Sequence, residues 1–243
     1  MTRLTLVYAY YRNFEMFKLQ LQEWGRYPEE IRKEIEFIVT DDCSPKSQIH
    51  LARPFIPAGL NIRLFRITEK KAWNWLACRN IGAHHAAGEW ILMTDMDHMV
   101  SAENARSIMT KLPELNKDRV YLFTRVDAPD MQPYKPHDDS YLMTREMFWR
   151  IGGYDEELSG LYGTSGRFRN RTGAVAQKLV RLKIPLIRFR REVLADASTT
   201  DFVRKLPNQA HQRLIEAKEN RKAAEGRAGD VRVLSFPYEE IEI

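Results

Sequence analysis

Short apolar runs alternate with segments of helical periodicity along the first half of the chain, and this order strongly limits its fold. An apolar run at residues 4–9 predicts a buried strand, and apolar side chains at helical spacing over 14–24 predict an amphipathic helix. The same patterns predict strands at 36–40, 62–67, 89–94 and 120–124, and helices at 73–87 and 102–112. Such repetition is typical of an α/β fold, with a mostly parallel sheet covered by helices on both faces.

The second half of the chain is less regular. Its patterns predict a proline-rich loop at 127–139, a helix at 144–151, a glycine- and arginine-rich loop at 162–173, a helix at 173–182 and a strand at 186–189. The composition then changes to a polar, lysine- and arginine-rich helix at about 208–227 and a strand-like tail at 231–243. We therefore expect a core domain at 1–200 and a C-terminal helical and strand extension at 201–243.

Composition indicates an ordinary globular protein. The chain has 243 residues, of which 44% are hydrophobic and 29% charged. Two cysteines, Cys43 and Cys78, make no disulfide framework, which favours a reducing compartment. The apolar run at 4–11 is too short for a signal peptide or a membrane span. These features predict a cytoplasmic protein, and the net charge of +5 is compatible with an anionic ligand or a membrane surface.

Two acidic clusters follow two predicted strands. Asp41 and Asp42 come after the strand at 36–40, and Asp95 and Asp97 form a D-x-D pattern after the strand at 89–94. Because the carboxyl ends of parallel strands meet at one edge of a sheet, both clusters are expected to face one crevice. Paired carboxylates suit a hard divalent cation, which in turn holds a diphosphate. Turn formation and helix capping are the alternative roles.

The segment between the acidic clusters carries basic residues. Lys71 and Arg79 would neutralise phosphates if they reached the same edge, although a solvated helix face is the ordinary position for Arg79. Gly82 lies inside the predicted helix, where glycine costs about 1 kcal/mol relative to alanine. Close packing of this helix on a strand would explain it. His98, beside the D-x-D pattern, reads as a surface or core-edge histidine rather than a ligand.

Several short motifs follow one another in a fixed order: Asp41-Asp42-Cys43-Ser44, Arg79-Asn80-Ile81-Gly82, Ala87-Gly88-Glu89-Trp90-Ile91, Asp95-Met96-Asp97 and Ile151-Gly152-Gly153-Tyr154-Asp155-Glu156. With this order the chain resembles the family 2 glycosyltransferases of the GT-A fold, over residues 4–182. The resemblance implies transfer of a sugar from a UDP- or GDP-sugar to a glycan, lipid-linked or other hydroxyl acceptor. It also implies inversion at the sugar and dependence on Mn²⁺ or Mg²⁺.

The resemblance assigns the donor's nucleoside to the end of the first strand. Ala9 and Tyr10 would line the nucleoside pocket, and Asp42, together with Asp41, would hold the base or ribose. Asp95 would contact the ribose or the metal.

The metal and the diphosphate would lie beside the D-x-D pattern. Asp95 and Asp97 would ligate the metal, which would act as a Lewis acid on the leaving diphosphate. Lys71 and Arg79 would add positive charge.

The general base departs from the family pattern. Inverting members need a base for the acceptor hydroxyl, usually an acidic residue soon after the Gly-Gly-Tyr-Asp-Glu segment. Thr164 and Ser165 stand at that position, and a hydroxyl has no suitable pKa. We therefore expect the base to be Asp155, Glu156 or Asp139. A retaining enzyme, or a protein that binds the donor without transferring the sugar, would also fit the sequence.

Two other classes are weaker fits. A nucleotidyltransferase would carry a glycine-rich, lysine-bearing loop after the first strand, where this chain has Tyr10-Tyr11-Arg12-Asn13. A nucleic-acid-binding module would use the basic region at 205–227, but acidic residues interrupt that region and aromatic residues are lacking. We expect no nucleic-acid partner. The basic helix is instead expected to pack on the core, form a homodimer interface or touch an anionic membrane surface.

Overall fold

The computed structural model describes residues 1–45, 49–199 and 207–243, and within these residues ten strands form one mixed sheet. The strands are β1 (Leu4–Tyr10), β2 (Ile35–Asp41), β3 (Ile62–Ile67), β4 (Trp90–Asp95), β5 (His98–Met99), β6 (Arg119–Asp127), β7 (Gln132–Tyr134), β8 (Tyr141–Thr144), β9 (Lys178–Arg188) and β10 (Tyr238–Ile241). The α-helices are α1 (Phe14–Gly25), α2 (Glu29–Arg32), α3 (Trp75–His85), α4 (Ala102–Lys111), α5 (Arg145–Ile151), α6 (Ser165–Val175) and α7 (Asn208–Ala224).

The sheet has a parallel part and an antiparallel part. Its strand order is β10-β3-β2-β1-β4-β8-β6-β9-β5, with β7 paired to β6. Strands β3, β2, β1 and β4 run parallel, whereas β8 is antiparallel to β4 and β10 is antiparallel to β3. The register aligns Ala9 with Asp95 and Tyr10 with Asp41. The two acidic clusters therefore do meet at one edge of the sheet.

Alternation along β1 separates two apolar layers. Leu6 and Tyr8 belong to a core that also contains residues of α1 and α4, whereas Val7 belongs to a second core with residues of α3, α5 and α6. Helices therefore cover both faces of the sheet, and the predicted α/β fold class is confirmed.

Gly82 allows α3 to lie directly on β1. A Cβ atom at this position would fall well inside van der Waals contact of Val7 Cγ1, and 3.3 Å from Val7 Cβ and Cγ2. Close helix–strand packing is therefore the reason for glycine here. The contact fixes the height of α3 over the sheet, and α3 carries Arg79 and Asn80.

Two predicted elements after residue 160 are wrong. The expected loop at 162–173 contains helix α6, and the expected helix at 173–182 covers only the end of α6 and the start of strand β9. Helix α6 buries only Phe168 and Thr172, so its apolar periodicity is too weak to recognise. Strand β9 pairs with β6 but is only partly buried, and its lysines and arginines lie between apolar residues. The short strands β7 and β8 were not predicted.

The C-terminal elements agree with the sequence pattern. Helix α7 falls within the predicted 208–227, and β10 falls within the predicted tail and pairs with β3 at the edge of the central sheet. The predicted boundary between residues 200 and 201 lies outside the described residues. No helix in the described part of the chain combines the length and apolar character needed to cross a membrane.

Candidate active site

A cleft of about 360 Å³ opens at the carboxyl ends of β1, β2 and β4 and extends to the ends of β6 and β9. Its walls include the following residues: Ala9, Tyr10, Tyr11, Asn13, Asp42, Trp73, Trp75, Asp95, Met96, Asp97, His98, Arg125, His137, Asp139, Tyr162, Gly163, Ser165, Arg188, Ala197, Ser198 and Thr199. Six of the predicted site residues therefore share one cleft: Ala9, Tyr10, Asp42, Asp95, Asp97 and Asp139.

Asp42 forms one end of the cleft, beside Ala9 and Tyr10. Its Oδ2 accepts a hydrogen bond of 2.8 Å from the backbone N–H of Asn74, while its buried Oδ1 has no partner among the described residues. Burial, with the negative charge of Asp41 adding to it, raises the pKa of Asp42 well above its ordinary value. An oxygen with unused hydrogen-bonding capacity suits recognition of a hydroxyl or N–H group of a ligand.

Asp41 and Lys71 lie outside this cleft lining. Asp41 Oδ1 accepts a hydrogen bond of 3.0 Å from the backbone N–H of Ser44, and Arg66 Nε lies 3.9 Å from Asp41 Oδ2. Asp41 therefore stabilises the turn after β2. Lys71 is exposed, with its Cε packed near Gly160. Of the two neighbouring aspartates, only Asp42 faces the cleft.

Arg79 is a fully buried cation, so it does not lie on a solvated helix face. Its Nη2 donates to Asp95 Oδ1 at 2.7 Å, and its Nη1 donates to the backbone oxygen of Asp139 at 2.7 Å and to Tyr154 Oη at 2.9 Å. The second oxygen of Asp95 lies 3.2 Å from His137 Nε2. Burial acts against ionisation here, but His137 and Arg79 lower the pKa of Asp95, which is therefore ionised.

His98 orients the Asp97 side chain through a hydrogen bond. Arg125 Nη1 lies 3.1 Å from His98 Nε2, and because a guanidinium only donates, Nε2 must be the acceptor. Burial lowers the pKa of His98, which keeps the ring neutral. The proton then lies on Nδ1, which donates to Asp97 Oδ1 at 2.7 Å. This hydrogen bond fixes the orientation of the Asp97 carboxylate through Oδ1 and does not involve Oδ2.

The residues at the centre of the cleft fit a divalent cation. Asp95, His98 and His137 each offer a ligand atom, and these atoms lie within 4.8 Å of one another. His98 Nε2 already accepts from Arg125, which leaves Asp95 and the neighbouring Asp97 as the better donors, and His137 Nε2 would add a third donor after losing the proton that faces Asp95 Oδ2. A ligand set of two carboxylates and one imidazole suits Mn²⁺ better than Mg²⁺, because Mg²⁺ prefers oxygen ligands alone.

Asp139 reaches the cleft beside Ser165, at the start of α6. Its buried Oδ1 has no hydrogen-bond partner among the described residues. Burial raises the pKa of Asp139, although the charges of Arg79 and His137 oppose this shift. A carboxylate from the loop before β8 thus lines the cleft together with Ser165, the position where the family resemblance leads one to expect an acid.

Asp155 and Glu156 do not line the cleft, which argues against the prediction that either is the general base. Asp155 Oδ2 lies 2.8 Å from Lys222 Nζ of α7. Glu156 accepts hydrogen bonds of 2.7–2.9 Å from Asn80 Nδ2, from the Ser235 hydroxyl and from the backbone N–H groups of Leu234 and Ser235. The two carboxylates fasten the C-terminal segment to the core.

Aromatic residues of the cleft were missed by the sequence analysis. Trp73 has a positive φ of 58°, and its ring meets that of Tyr162 edge-on with centroids 5.6 Å apart. A non-glycine residue in this conformation stores strain that is common at functional sites. The sequence signal was the aromatic-rich stretch at 73–75, at the start of the helix predicted over 73–87.

The comparisons with known structures show the fold. S. aureus TarS 1-349 in complex with UDP-GlcNAc matches with a TM-score of 0.63 and 15% identity, over 92% of this chain and 73% of that chain. The mannosyltransferase PcManGT from Pyrobaculum calidifontis, in complex with GDP-Man and Mn²⁺, matches with a TM-score of 0.59 and 16% identity, over 95% and 66%. GalNAc-T7 with UDP, GalNAc and Mn²⁺ matches with a TM-score of 0.58 and 12% identity, over 78% and 44%.

The fold is therefore that of the GT-A glycosyltransferases. Residues 25–179 match glycosyl transferase family 2, and the chain belongs to this family. It is a glycosyltransferase that takes its sugar from a nucleotide-sugar donor. No curated protein sequence matches the chain.

Proposed function

We propose that this glycosyltransferase is metal-dependent and inverting, and that Asp139 is its general base. The observation that carries the proposal is that Asp139 lines the same cleft as Asp95, Asp97 and Ser165. The donor is a UDP- or GDP-sugar and the acceptor carries a hydroxyl group. Complexes of TarS with UDP-GlcNAc and of PcManGT with GDP-Man and Mn²⁺ support this choice of donor and metal.

The donor lies along the cleft from Asp42 to Asp97. Asp42 binds the base or ribose, with Ala9 and Tyr10 forming the wall of the nucleoside pocket. Asp95 and Asp97 would hold the cation, and His137 would join them in its neutral form. When bound, the cation supplies Lewis-acid stabilisation to the leaving diphosphate.

Arg79 connects the two halves of the site. The same guanidinium donates to the Asp95 carboxylate and to the backbone oxygen of Asp139, so it fixes the distance between the metal side and the base. Because Arg79 is fully buried, its guanidinium group is a rigid part of the site. Positioning of this kind contributes to catalysis by holding reacting groups in near-attack geometry.

The transfer step uses Asp139 as the base. Its carboxylate takes the proton of the acceptor hydroxyl while the hydroxyl oxygen bonds to the anomeric carbon of the donor. The bond between that carbon and the diphosphate oxygen breaks at the same time, so the configuration inverts. The products are the glycoside, the nucleoside diphosphate and a protonated Asp139.

Donor and metal binding are tested by isothermal titration with a panel of UDP- and GDP-sugars, with and without Mn²⁺. Asp97→Ala is expected to lose Mn²⁺-dependent donor binding. Asp118→Ala is the matched control, since Asp118 pairs with Arg150 on the surface away from the cleft lining. Equal Mn²⁺-dependent affinity in wild type and Asp97→Ala would refute the metal assignment.

The base is tested by the rate of donor hydrolysis, with water as the acceptor. Asp139→Asn is expected to lower the turnover number about 10²–10⁴-fold, with the donor dissociation constant changed far less. The hydrolysis rate of Asp155→Asn, compared at equal folded fraction, is expected to match that of wild type. Unchanged turnover in Asp139→Asn, or retention of configuration in the product by NMR, would overturn the assignment.

Contact of α7 with an anionic membrane surface, homodimer formation and a cytoplasmic location remain predictions. Flotation with phosphatidylglycerol vesicles measures the first, sedimentation equilibrium the second, and cell fractionation the third.

A further inference from the structure

Tyr162 lines the cleft from a short loop that has a glycine at each end. Gly160 and Gly163 both have a positive φ, of 90° and 84°, and Gly163 and Ser165 line the cleft together with Tyr162. Glycine is the least restricted residue, so the local chain fixes a side chain between two glycines only weakly. The orientation of the Tyr162 ring therefore depends on contacts made by other parts of the molecule.

Helix α7 supplies one of these contacts through His211, which is buried. The backbone N–H of Tyr162 donates to His211 Nδ1 at 3.2 Å, and the centroids of the two rings lie 6.3 Å apart. Because Nδ1 accepts this hydrogen bond, the proton of the ring lies on Nε2, which is buried without a partner among the described residues. His211 therefore holds the backbone of a cleft residue, although it lies outside the cleft lining itself.

The same face of α7 is attached to the chain before and after Tyr162. The buried and part-buried residues of this face follow one another at helical spacing: His211, Ile215, Glu219 and Lys222. Ile215 belongs to the core that also contains Leu161, and Glu219 accepts hydrogen bonds of 2.9 and 2.8 Å from Arg167. These attachments fix the position of His211 relative to the loop.

The loop also contacts the wall of the cleft next to Asp42. The Tyr162 ring meets that of Trp73 edge-on, and the backbone N–H of Gly160 donates to the Trp73 carbonyl oxygen at 3.3 Å. The residue after Trp73 is Asn74, which donates its backbone N–H to Asp42. The loop is therefore held by α7 and by the segment that supports Asp42, and its contacts connect the C-terminal helix to the cleft.

We infer that His211 is a positioning residue for sugar transfer, and that its Nδ1 atom holds Tyr162 against Trp73 so that this wall of the cleft keeps the geometry that transfer requires. The inference rests on the proposed function for the location of the transfer step in this cleft. Such positioning matters because a displacement of about 1 Å in an active site costs roughly 10²-fold in rate. The C-terminal helix is then a working part of the enzyme.

Two substitutions in the full chain separate the hydrogen bond from the shape of the side chain. His211→Phe keeps a ring but removes the acceptor, whereas His211→Asn offers an amide oxygen in place of Nδ1. His211→Phe also removes the unpartnered Nε2–H, which offsets part of the cost of the lost hydrogen bond. Amide hydrogen exchange followed by NMR measures the contact directly. The Tyr162 N–H is expected to exchange at least about tenfold faster in His211→Phe, and at close to the wild-type rate in His211→Asn.

The functional measurement is donor hydrolysis with Mn²⁺ present, using whichever of UDP-GlcNAc, UDP-glucose and GDP-mannose the wild type hydrolyses fastest. At equal folded fraction, His211→Phe is expected to lower the turnover number about 10–100-fold and to change the donor dissociation constant less than about threefold. His211→Asn is expected to restore turnover to within about threefold of wild type. Glu219→Gln is the matched control with unchanged turnover, because it weakens the attachment of α7 about 12 Å along the helix from His211.

An unchanged exchange rate of the Tyr162 amide in His211→Phe would overturn the inference, because His211 would then not hold Tyr162. Unchanged turnover in that variant would also overturn it, since the contact would serve the fold alone. So would turnover in His211→Asn as low as in His211→Phe, or an equal fall in Glu219→Gln. Failure of the wild type to hydrolyse any of the three donors would instead refute the proposed function, and the exchange rates would still decide whether His211 holds Tyr162.

Discussion

Replacing Gly82 by alanine is expected to destabilise the protein, although alanine is the better helix former. The gain in helix propensity is about 1 kcal/mol. The new methyl group would overlap Val7 Cγ1, and β1 cannot move away because it is paired with β2 on one side and β4 on the other. Overpacking of this kind costs about 3 kcal/mol when the neighbours are fixed. The net loss is then about 2 kcal/mol, which lowers the Tm by about 4–8 °C.

The assay is thermal and urea unfolding followed by circular dichroism, with Gly173→Ala as the matched control. Gly173 lies inside helix α6, and a Cβ atom there would have no neighbour within 4 Å. Only the propensity gain remains in that variant, so its Tm is expected to rise by about 2–4 °C.

A second variant identifies the contact responsible. Val7→Ala removes the methyl group that Gly82→Ala would strike, so the double variant is expected to be more stable than the sum of the single changes, by about 1–3 kcal/mol. If Gly82→Ala unfolds at or above the wild-type temperature, or if the two changes are additive, the packing argument fails.

Three further outcomes are expected. Burial raises the pKa of Asp42. The protonated Asp42 side chain therefore contributes to stability at acidic pH, and this contribution is lost as the pH rises through the raised pKa. Asp42→Asn should therefore flatten the fall of Tm with pH and weaken donor binding; an unchanged pH profile would contradict this. Lys222→Met should lower the free energy of unfolding by about 3–5 kcal/mol in urea, because Asp155 would remain buried without its cation, whereas a loss below 1 kcal/mol would count against the pair. Mn²⁺ at 100 times its dissociation constant should stabilise the wild type by about 2.7 kcal/mol, and Asp97→Ala should show no such shift.

The parallel part of the fold follows from local sequence. Strands β1 to β4 are short, mainly apolar segments, so their ends, and the carboxylates that follow them, are visible without a structure. Parallel pairing then brings Asp42 and Asp95 to one edge. Long-range contacts decide the rest. Asp139 is placed by Arg79, 60 residues away, and no local pattern records that hydrogen bond.

The same reason explains why the sequence does not show that Asp155 and Glu156 lie outside the cleft lining. Acidic residues after a pair of glycines read as exposed, and in sequence nothing distinguishes a carboxylate that faces a cleft from one that is covered. Lys222 of α7 covers Asp155 across 67 residues. Helix α6 was missed for a related cause, because its few apolar contacts are made with distant elements rather than along its own face.

The attachment of the C-terminal segment at Glu156 has a consequence for synthesis on the ribosome. Its carboxylate is buried against N–H groups of residues 234 and 235, the first of which lies 78 residues further along the chain. Until those residues leave the exit tunnel, Glu156 has only Asn80 as a side-chain partner among the contacts described here. A nascent chain can therefore assemble β1 to β4 and join α3 to the segment after α5 through Asn80 before the tail arrives, whereas the Glu156 carboxylate gains its backbone N–H donors only with the tail.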